Sequence, residues 1–356
     1  MSMGAITVNR SDVLISLCVL AQIFAATTLN GVQIVLELII IAFLLILIVE
    51  SRVKKKDAIV IFIIVVCCLL SLYNNPVSAA LLSVKLYLTP VLIFIYFKDR
   101  SISLSLLNLV FFLNVLGLCI FVLFSVNIFG FLDGLIANDN IADHGFSGLF
   151  LNYHFTADFM AIMMIGYSLK YRLYFLDYIY LFILFVPTAL LSYFVQQQFL
   201  RITRKRKALN SVNQVYVFIS IVFVLFVFNE VILNIFGVYG KKLGSITIIL
   251  DQFFNKEFWL GALNLFPNDI VKHHNEHFTY YRGVPIVNEI GYITLTMQGG
   301  LIIVISIISL VYKDMKYFLL YFLLTMIHYS YFLSPLVIYS CLAINFNFGK
   351  DHNIVS

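Results

Sequence analysis

The sequence predicts an all-α polytopic membrane protein with about ten to twelve transmembrane helices and one large loop on the outer face. Three observations predict it. Hydrophobic residues make up 62% of the chain and charged residues 12%, with a mean hydropathy of +0.99, whereas a soluble domain carries about 25% charged residues. The apolar residues come in long runs, and a helix needs roughly 20 of them to cross a bilayer, so 356 residues with short connectors hold about ten to twelve crossings. The basic residues fall between the runs on alternate connectors. Residues 1–356 therefore read as one transmembrane domain, with a loop over about 238–288 inside it and no separate soluble module.

Taken in order, the first run covers 13–29, after Arg10 and Asp12; it lacks a small-residue cleavage site and is expected to be retained as a helix. Runs at 32–49, 58–73, 77–97, 103–130 and 148–169 follow, and later ones at 213–237, 289–312, 317–333 and 335–348. Arg52 with Lys54, Lys55 and Lys56, Lys98 with Arg100, Lys170 with Arg172, Arg201 with Arg204 through Lys207, and Lys313 with Lys316 occupy alternate connectors. With Arg10 and Lys350 these are 17 of the 23 Lys and Arg residues, and the positive-inside rule places them, and both termini, in the cytoplasm. The connectors 74–77 and 133–145 hold no Lys or Arg, and the second carries Asp133, Asp139 and Asp143, so both belong outside. Membrane topology accounts for the net charge of +5 without an anionic partner, and no nucleic acid partner is expected.

The stretch 173–200 departs from this pattern. Both of its ends are basic, yet it has fewer than about 30 apolar residues where two crossings need roughly 40. A re-entrant pair of short helices turning near Pro187 fits best, because irregular backbone at membrane depth is tolerated where protein or a wet cavity surrounds it. Two tilted half-helices, or one crossing that leaves 201–207 outside, are the alternatives. The re-entrant arrangement brings Ser192 and Gln196 to Gln198 into the interior.

The loop at about 238–288 follows a crossing that begins at the basic run, so it lies on the outer face. It holds Trp259, the only tryptophan, and an amphipathic stretch over 246–265 suited to the membrane surface. Its densest polar cluster is Lys272-His273-His274-Asn275-Glu276-His277, followed by Tyr280, Tyr281 and Arg282 and then Asn288-Glu289-Ile290-Gly291-Tyr292. A histidine here can act as a general base at neutral pH, although a solvated loop gives the same composition. Zinc is disfavoured, since no fourth His or Cys stands nearby to complete a ligand set. Lys241, Lys242 and Arg282 lie outside, where the positive-inside rule gives no reason for them, and their cations suit a phosphate or a lipid headgroup.

Within the apolar runs, Lys85, Asp158, Asp177 and Glu230 are ionisable, and an intramembrane charge is costly enough to mark a functional candidate. Lys85 is the most deeply placed. Asp177 and Glu230 stand near run ends, and His154 with Asp158, four apart, makes a structural pair. Gly299-Gly300 reads as a close helix-packing site. The five cysteines sit in apolar runs without C-x-x-C spacing, and no phosphate-binding loop, dinucleotide fingerprint or nucleophile elbow occurs.

The stretch Asn288-Glu-Ile-Gly-Tyr-Ile-Thr-Leu-Thr-Met-Gln-Gly-Gly-Leu-Ile resembles the glutamate, glycine-tyrosine, glycine pattern that opens a late helix in Wzy-type polymerases of O antigen and capsule. The His274-Asn275 pair in a preceding outer loop is similar to that of the same polymerases and of the O-antigen ligases. The likeness covers about a third of the chain; the rest matches in hydropathy alone. It implies a GT-C-like, metal-independent glycosyltransferase of the bacterial inner membrane, without cofactor, acting on oligosaccharide linked to undecaprenyl pyrophosphate. It further implies a pathway that includes a flippase and a chain-length regulator. Under this resemblance Arg282 with Lys241 or Lys242 neutralises the leaving pyrophosphate, His274 or Glu289 serves the acceptor hydroxyl, and Tyr292 and Trp259 stack on sugar rings. Lys85 and Arg201 are further candidates for the phosphates. The family's Ser-Arg turn in a middle helix is missing: Ser192 is followed by Tyr193, and the nearest arginine is Arg201.

Two other functions fit parts of the pattern. An O-antigen ligase has a similar loop and moves finished glycan to lipid A core. A transporter or flippase shows internal repeats and paired interrupted helices, which are not visible in this sequence. The topology has a direct test: a reporter fused after Lys207 should read as cytoplasmic, and a periplasmic signal would rule out the re-entrant arrangement.

Overall fold

A computed structural model describes residues 10–25, 30–50, 53–71, 77–100, 102–124, 128–129, 148–171, 187–206, 211–227, 259, 278–281, 284–287, 291–311, 315–326 and 333–348. Among these the chain is helical apart from one small hairpin. The helices are α1 Arg10–Ala25, α2 Asn30–Glu50, α3 Lys55–Ser71, α4 Val77–Phe97, α5 Ser105–Phe124, α6 Tyr153–Tyr171, α7 Pro187–Arg206 and α8 Ser211–Val227. After the hairpin of β1 (Phe278–Tyr281) and β2 (Val284–Val287) come α9 Gly291–Val311, α10 Leu319–Thr325 and α11 Pro335–Phe348. Two of these helices, α2 over Val32–Glu50 and α5 over Ser105–Phe124, are long and apolar enough to cross a membrane, and only a minor part of each is buried.

The helices coincide with apolar runs, and their limits follow local chemistry. Pro187 opens α7, where a missing N–H costs nothing because the first turn has no partner for it. The run expected to end at 200 continues as helix to Arg206, carrying its basic residues at the end where the helix dipole favours cations. The run 317–333 yields a helix of only 7 residues, α10, and α11 has 14. At 1.5 Å per residue these are about 10 and 21 Å long, short of a hydrocarbon core of about 30 Å. The expected helix at 289–312 forms as α9 but is broken at Gly300, whose φ of 78° and ψ of 151° belong to a region only glycine occupies readily. Gly300 therefore interrupts its helix, and it is buried there.

The chain divides into two compact units, residues 1–51, 92–190 and 334–356 in one and 52–91 with 191–333 in the other. In the first, α1 packs on α2 and α11, and α6 packs on α11 and α5. Gly166 makes the α6–α11 approach possible, since a Cβ there would stand 2.8 Å from Ile344 Cγ2. Tyr167 donates its hydroxyl to Asn108 Oδ1 at 2.9 Å, tying α6 to α5, and Asn347 Nδ2 donates to the Ile102 carbonyl at 2.9 Å. At one edge Arg10 meets Glu50 at 2.7 Å, a bond that raises the guanidinium pKa above its usual value. Arg100 donates to Tyr96 Oη at 2.8 Å.

In the second unit α3 packs on α9, and α8 packs on α10. Phe199 of α7 with Leu320 and Leu324 of α10 form a small core there, flanked by Phe218 and Ile221 of α8. The hairpin pairs Phe278 with Val287 and Tyr281 with Val284, so only residues 282 and 283 join the strands.

Gly148 is the tightest backbone position described. Its φ is +70°, and an added Cβ would lie 2.6 Å from both Asn114 Oδ1 and Thr156 Cγ2. Gly148→Ala combines backbone strain with a clash against a sealed interior, and it should destabilise the protein by about 1–3 kcal/mol. A thermal midpoint that stays at the wild-type value in detergent would contradict this geometry.

Candidate functional site

Among the described buried polar side chains, Ser168, Thr203, Ser306 and Ser340 bond carbonyls of their own helices, whereas a few amides reach across to helix ends. In the first unit Asn114 of α5 is fully buried. Its Nδ2 donates to the Val110 carbonyl at 2.9 Å, and its Oδ1 accepts the Leu149 N–H at 2.9 Å. Asn152 then caps α6, accepting the Phe155 N–H on Oδ1 at 2.9 Å. Six residues past that cap stands Asp158, buried on a helix stretch that also buries Phe155, Thr156, Ala157, Phe159 and Met160. His154, half-buried, precedes it by one turn, its ring stacked 4.0 Å from that of Tyr153.

The second unit repeats the arrangement with glutamines. Gln196 of α7 and Gln214 of α8 are both 0% exposed. Gln196 Oε1 accepts the Tyr321 N–H at 2.8 Å, and Gln214 Oε1 accepts the Leu320 N–H at 3.0 Å. Gln214 also donates its Nε2 to the Lys316 carbonyl. Two glutamine side chains thus satisfy consecutive amides at the start of α10, groups that have no partner within the helix. Ser192 and Gln197 of α7 are buried as well, at 2% and 1% exposure, and Arg201, one turn beyond Gln197, is half-buried and engaged in interactions of its own.

The expected burial of Ser192 and of Gln196 and Gln197 is met, and Gln198 is half-buried. For Gln196, however, the role of the side-chain oxygen is structural. Lys85 lies in α4 and Tyr292 in the first turn of α9. Trp259 is exposed. Lys241, Lys242, His274, Arg282 and Glu289 lie outside the described residues, as do Asp177, Glu230 and the first half of the 173–200 stretch. What is described is their framing: β1 and β2 bracket Arg282, and Glu289 falls in the three residues between β2 and α9. A four-residue strand pair was not expected in a loop read as polar and amphipathic, although Phe278-Thr-Tyr-Tyr and Val284-Pro-Ile-Val carry the β-branched and aromatic residues that favour one.

Sequence reasoning passed over Asn114, Asn152 and Gln214. The available signal was each amide's isolation in or beside an apolar run, where a side chain with both donor and acceptor is costly unless it meets backbone groups.

Comparison of the chain with family models, with curated proteins and with solved structures finds no match.

The glutamine caps are testable. Gln214→Leu leaves the buried Leu320 N–H and the Lys316 carbonyl without this partner, at a cost of about 1–3 kcal/mol for each unsatisfied group. The thermal midpoint should fall, and amide exchange over 319–325 should accelerate. Gln196→Glu keeps an oxygen for the Tyr321 N–H and should slow that exchange relative to Gln196→Leu.

Proposed function

We propose that the chain is a multi-pass protein of the bacterial inner membrane that polymerises lipid-linked oligosaccharide repeat units at the periplasmic face. The membrane part of this reading is supported by an inversion of side-chain polarity. On α5 the amide of Asn114 is sealed while Leu109, Phe112 and Leu116 are exposed. On α7 Ser192, Gln196 and Gln197 are sealed while Leu191, Phe194 and Ile202 are exposed, and on α8 Gln214 is sealed while Tyr216, Ile219 and Phe223 are exposed. In water such helices would be inside out; in lipid, exposed aliphatic side chains cost nothing, and amides must turn inward. Together with α2, whose Val35, Leu38, Ile46 and Val49 are exposed, this favours several crossings over a single anchor.

The observation that carries the catalytic part is the stretch Glu289-Ile-Gly-Tyr292 at the start of a helix, behind a loop that holds His274-Asn275. Glu289 stands two residues before α9, which begins at Gly291, in keeping with the pattern in Wzy-type polymerases. In the reaction, a hydroxyl oxygen of the incoming repeat unit attacks the anomeric carbon of the growing glycan. The bond from that carbon to the pyrophosphate oxygen breaks, and undecaprenyl pyrophosphate leaves with the electron pair. The hydroxyl proton passes to His274 or Glu289. Arg282, with Lys241 or Lys242, balances the charge that develops on the leaving oxygen. Tyr292 and Trp259 offer ring faces to the sugars, and Lys85 and Arg201 supply further cations.

A strain lacking the protein tests this reading directly. Its surface glycan should collapse from a ladder to lipid A core bearing a single repeat. Bare core with long chains accumulating on undecaprenyl pyrophosphate would indicate a ligase instead, and single repeats trapped on the inner leaflet a transporter. Arg282→Ala and His274→Ala should each abolish the ladder at normal protein level; full-length polymer in both would reject these residues as the site.

A further inference from the structure

Away from the candidate site, two arginines of the first unit converge on one tyrosine. Tyr96 stands in the last turn of α4 and is buried. Its neighbour Phe97 packs on Tyr339 of α11, with ring centroids 5.2 Å apart, and this contact fixes the end of the helix. Arg100 lays its guanidinium over the Tyr96 ring, 3.9 Å from the centroid, and donates Nη1 to Tyr96 Oη at 2.8 Å. Arg10, at the start of α1, reaches the same hydroxyl while its Nη1 meets Glu50 Oε2 at 2.7 Å.

The positive-inside rule asks only that these cations lie on the cytoplasmic side. It gives no reason for two guanidiniums to meet at one phenol, where like charges repel. Lys170 belongs to the same end of the unit: its ammonium lies 5.4 Å from the Phe348 ring, and Asn347 beside that ring bonds the Ile102 carbonyl, two residues past Arg100. Among the described residues, Arg10, Lys98, Arg100 and Lys170 stand here against Asp12, Glu50 and Asp99, so the end is cationic on balance. A guanidinium carries five N–H donors in a planar fork, and the contacts above use only some of them on each arginine. Two forks held at one point are complementary to a phosphate, whose oxygens accept from both. Next to Glu50 the outward face of α2 is aliphatic, with Val49 85% and Ile46 58% exposed. Acyl chains can lie along that face while their phosphate meets the arginines.

We infer that Arg10 and Arg100 bind a phosphate group at this end of the first unit, supplied by an anionic phospholipid of the inner leaflet. The inference rests on the membrane reading above but not on the polymerase chemistry. A soluble phosphate presents the same oxygens, and the aliphatic face beside Glu50 favours the lipid.

The test uses the full-length protein in nanodiscs of equal parts phosphatidylcholine and phosphatidylglycerol, followed by release and native mass spectrometry of the lipids that remain bound. Wild type should retain phosphatidylglycerol in preference. Arg100 is exposed, so its variants keep the packing. Arg100→Gln should reduce the preference several-fold, and so should Arg100→Lys, which keeps the charge but not the fork. Lys55→Gln and Lys56→Gln, exposed cations in the first turn of α3, should leave it unchanged. The wild-type ratio in either Arg100 variant, or an equal fall in the α3 variants, would overturn the inference. In nanodiscs of phosphatidylcholine alone, inorganic phosphate should not raise the thermal midpoint. A rise that Arg100→Gln abolishes, without any preference for phosphatidylglycerol, would overturn the lipid as the source and assign the arginines to a soluble phosphate. Failure of the protein to fractionate with membranes would count instead against the membrane reading itself.

Discussion

An N–H group in the first turn of a helix has no carbonyl four residues back to accept it, and leaving it unpaired in an apolar interior is costly. Each helix start sealed inside the protein therefore needs an acceptor from a side chain. Gln196 and Gln214 provide it for α10, and Asn114 and Asn152 provide it for the passage into α6. These amides decide where irregular chain can exist within the packed helices. The short α10 would be a poor helix alone, since 7 residues barely pass the nucleation stage. Its position depends on two glutamines from two other helices.

The same requirement sorts the surfaces. With Asn114, Gln196 and Gln214 turned inward, the faces left outward on α5, α7 and α8 are mainly leucine, isoleucine, valine and aromatic side chains, with Asn213 and Ser220 of α8 among them. Close approach is then achieved where a side chain is absent: Gly166 against Ile344, and Gly148 beneath Asn114 and Thr156. Packing through small residues suits association in lipid, where apolar contact by itself gives no advantage over contact with hydrocarbon.

Much of the helical framework was legible in the sequence because apolar runs and charged connectors carry it at low resolution. The limits of α4 at Val77 and Phe97 coincide with the run itself. Where reading failed, the deciding information was not in hydropathy. The run 317–333 is as apolar as its neighbours, yet the helix there is limited to Leu319–Thr325 by turns on either side and by glutamines more than 100 residues away. Gly299-Gly300 is compatible with close packing and with a break, and only the backbone angles reveal the break at Gly300. For the candidate site, the sequence supplies the residue types His274, Arg282 and Glu289, while the fold adds the strands and helix that bracket the last two.

That bracketing has a consequence for how substitutions near Glu289 would act. In a continuous helix, a change in the first turn of α9 would be transmitted along its whole length to the packing on α3. At Gly300 the backbone leaves helical geometry, and a residue at φ 78° and ψ 151° does not continue the helical ladder. A change near Tyr292 would thus pass less directly to Leu301–Val311 than along a continuous helix. Gly300 stands nine residues from the start of α9 and eleven from its end, so the break divides the helix into two segments of similar length.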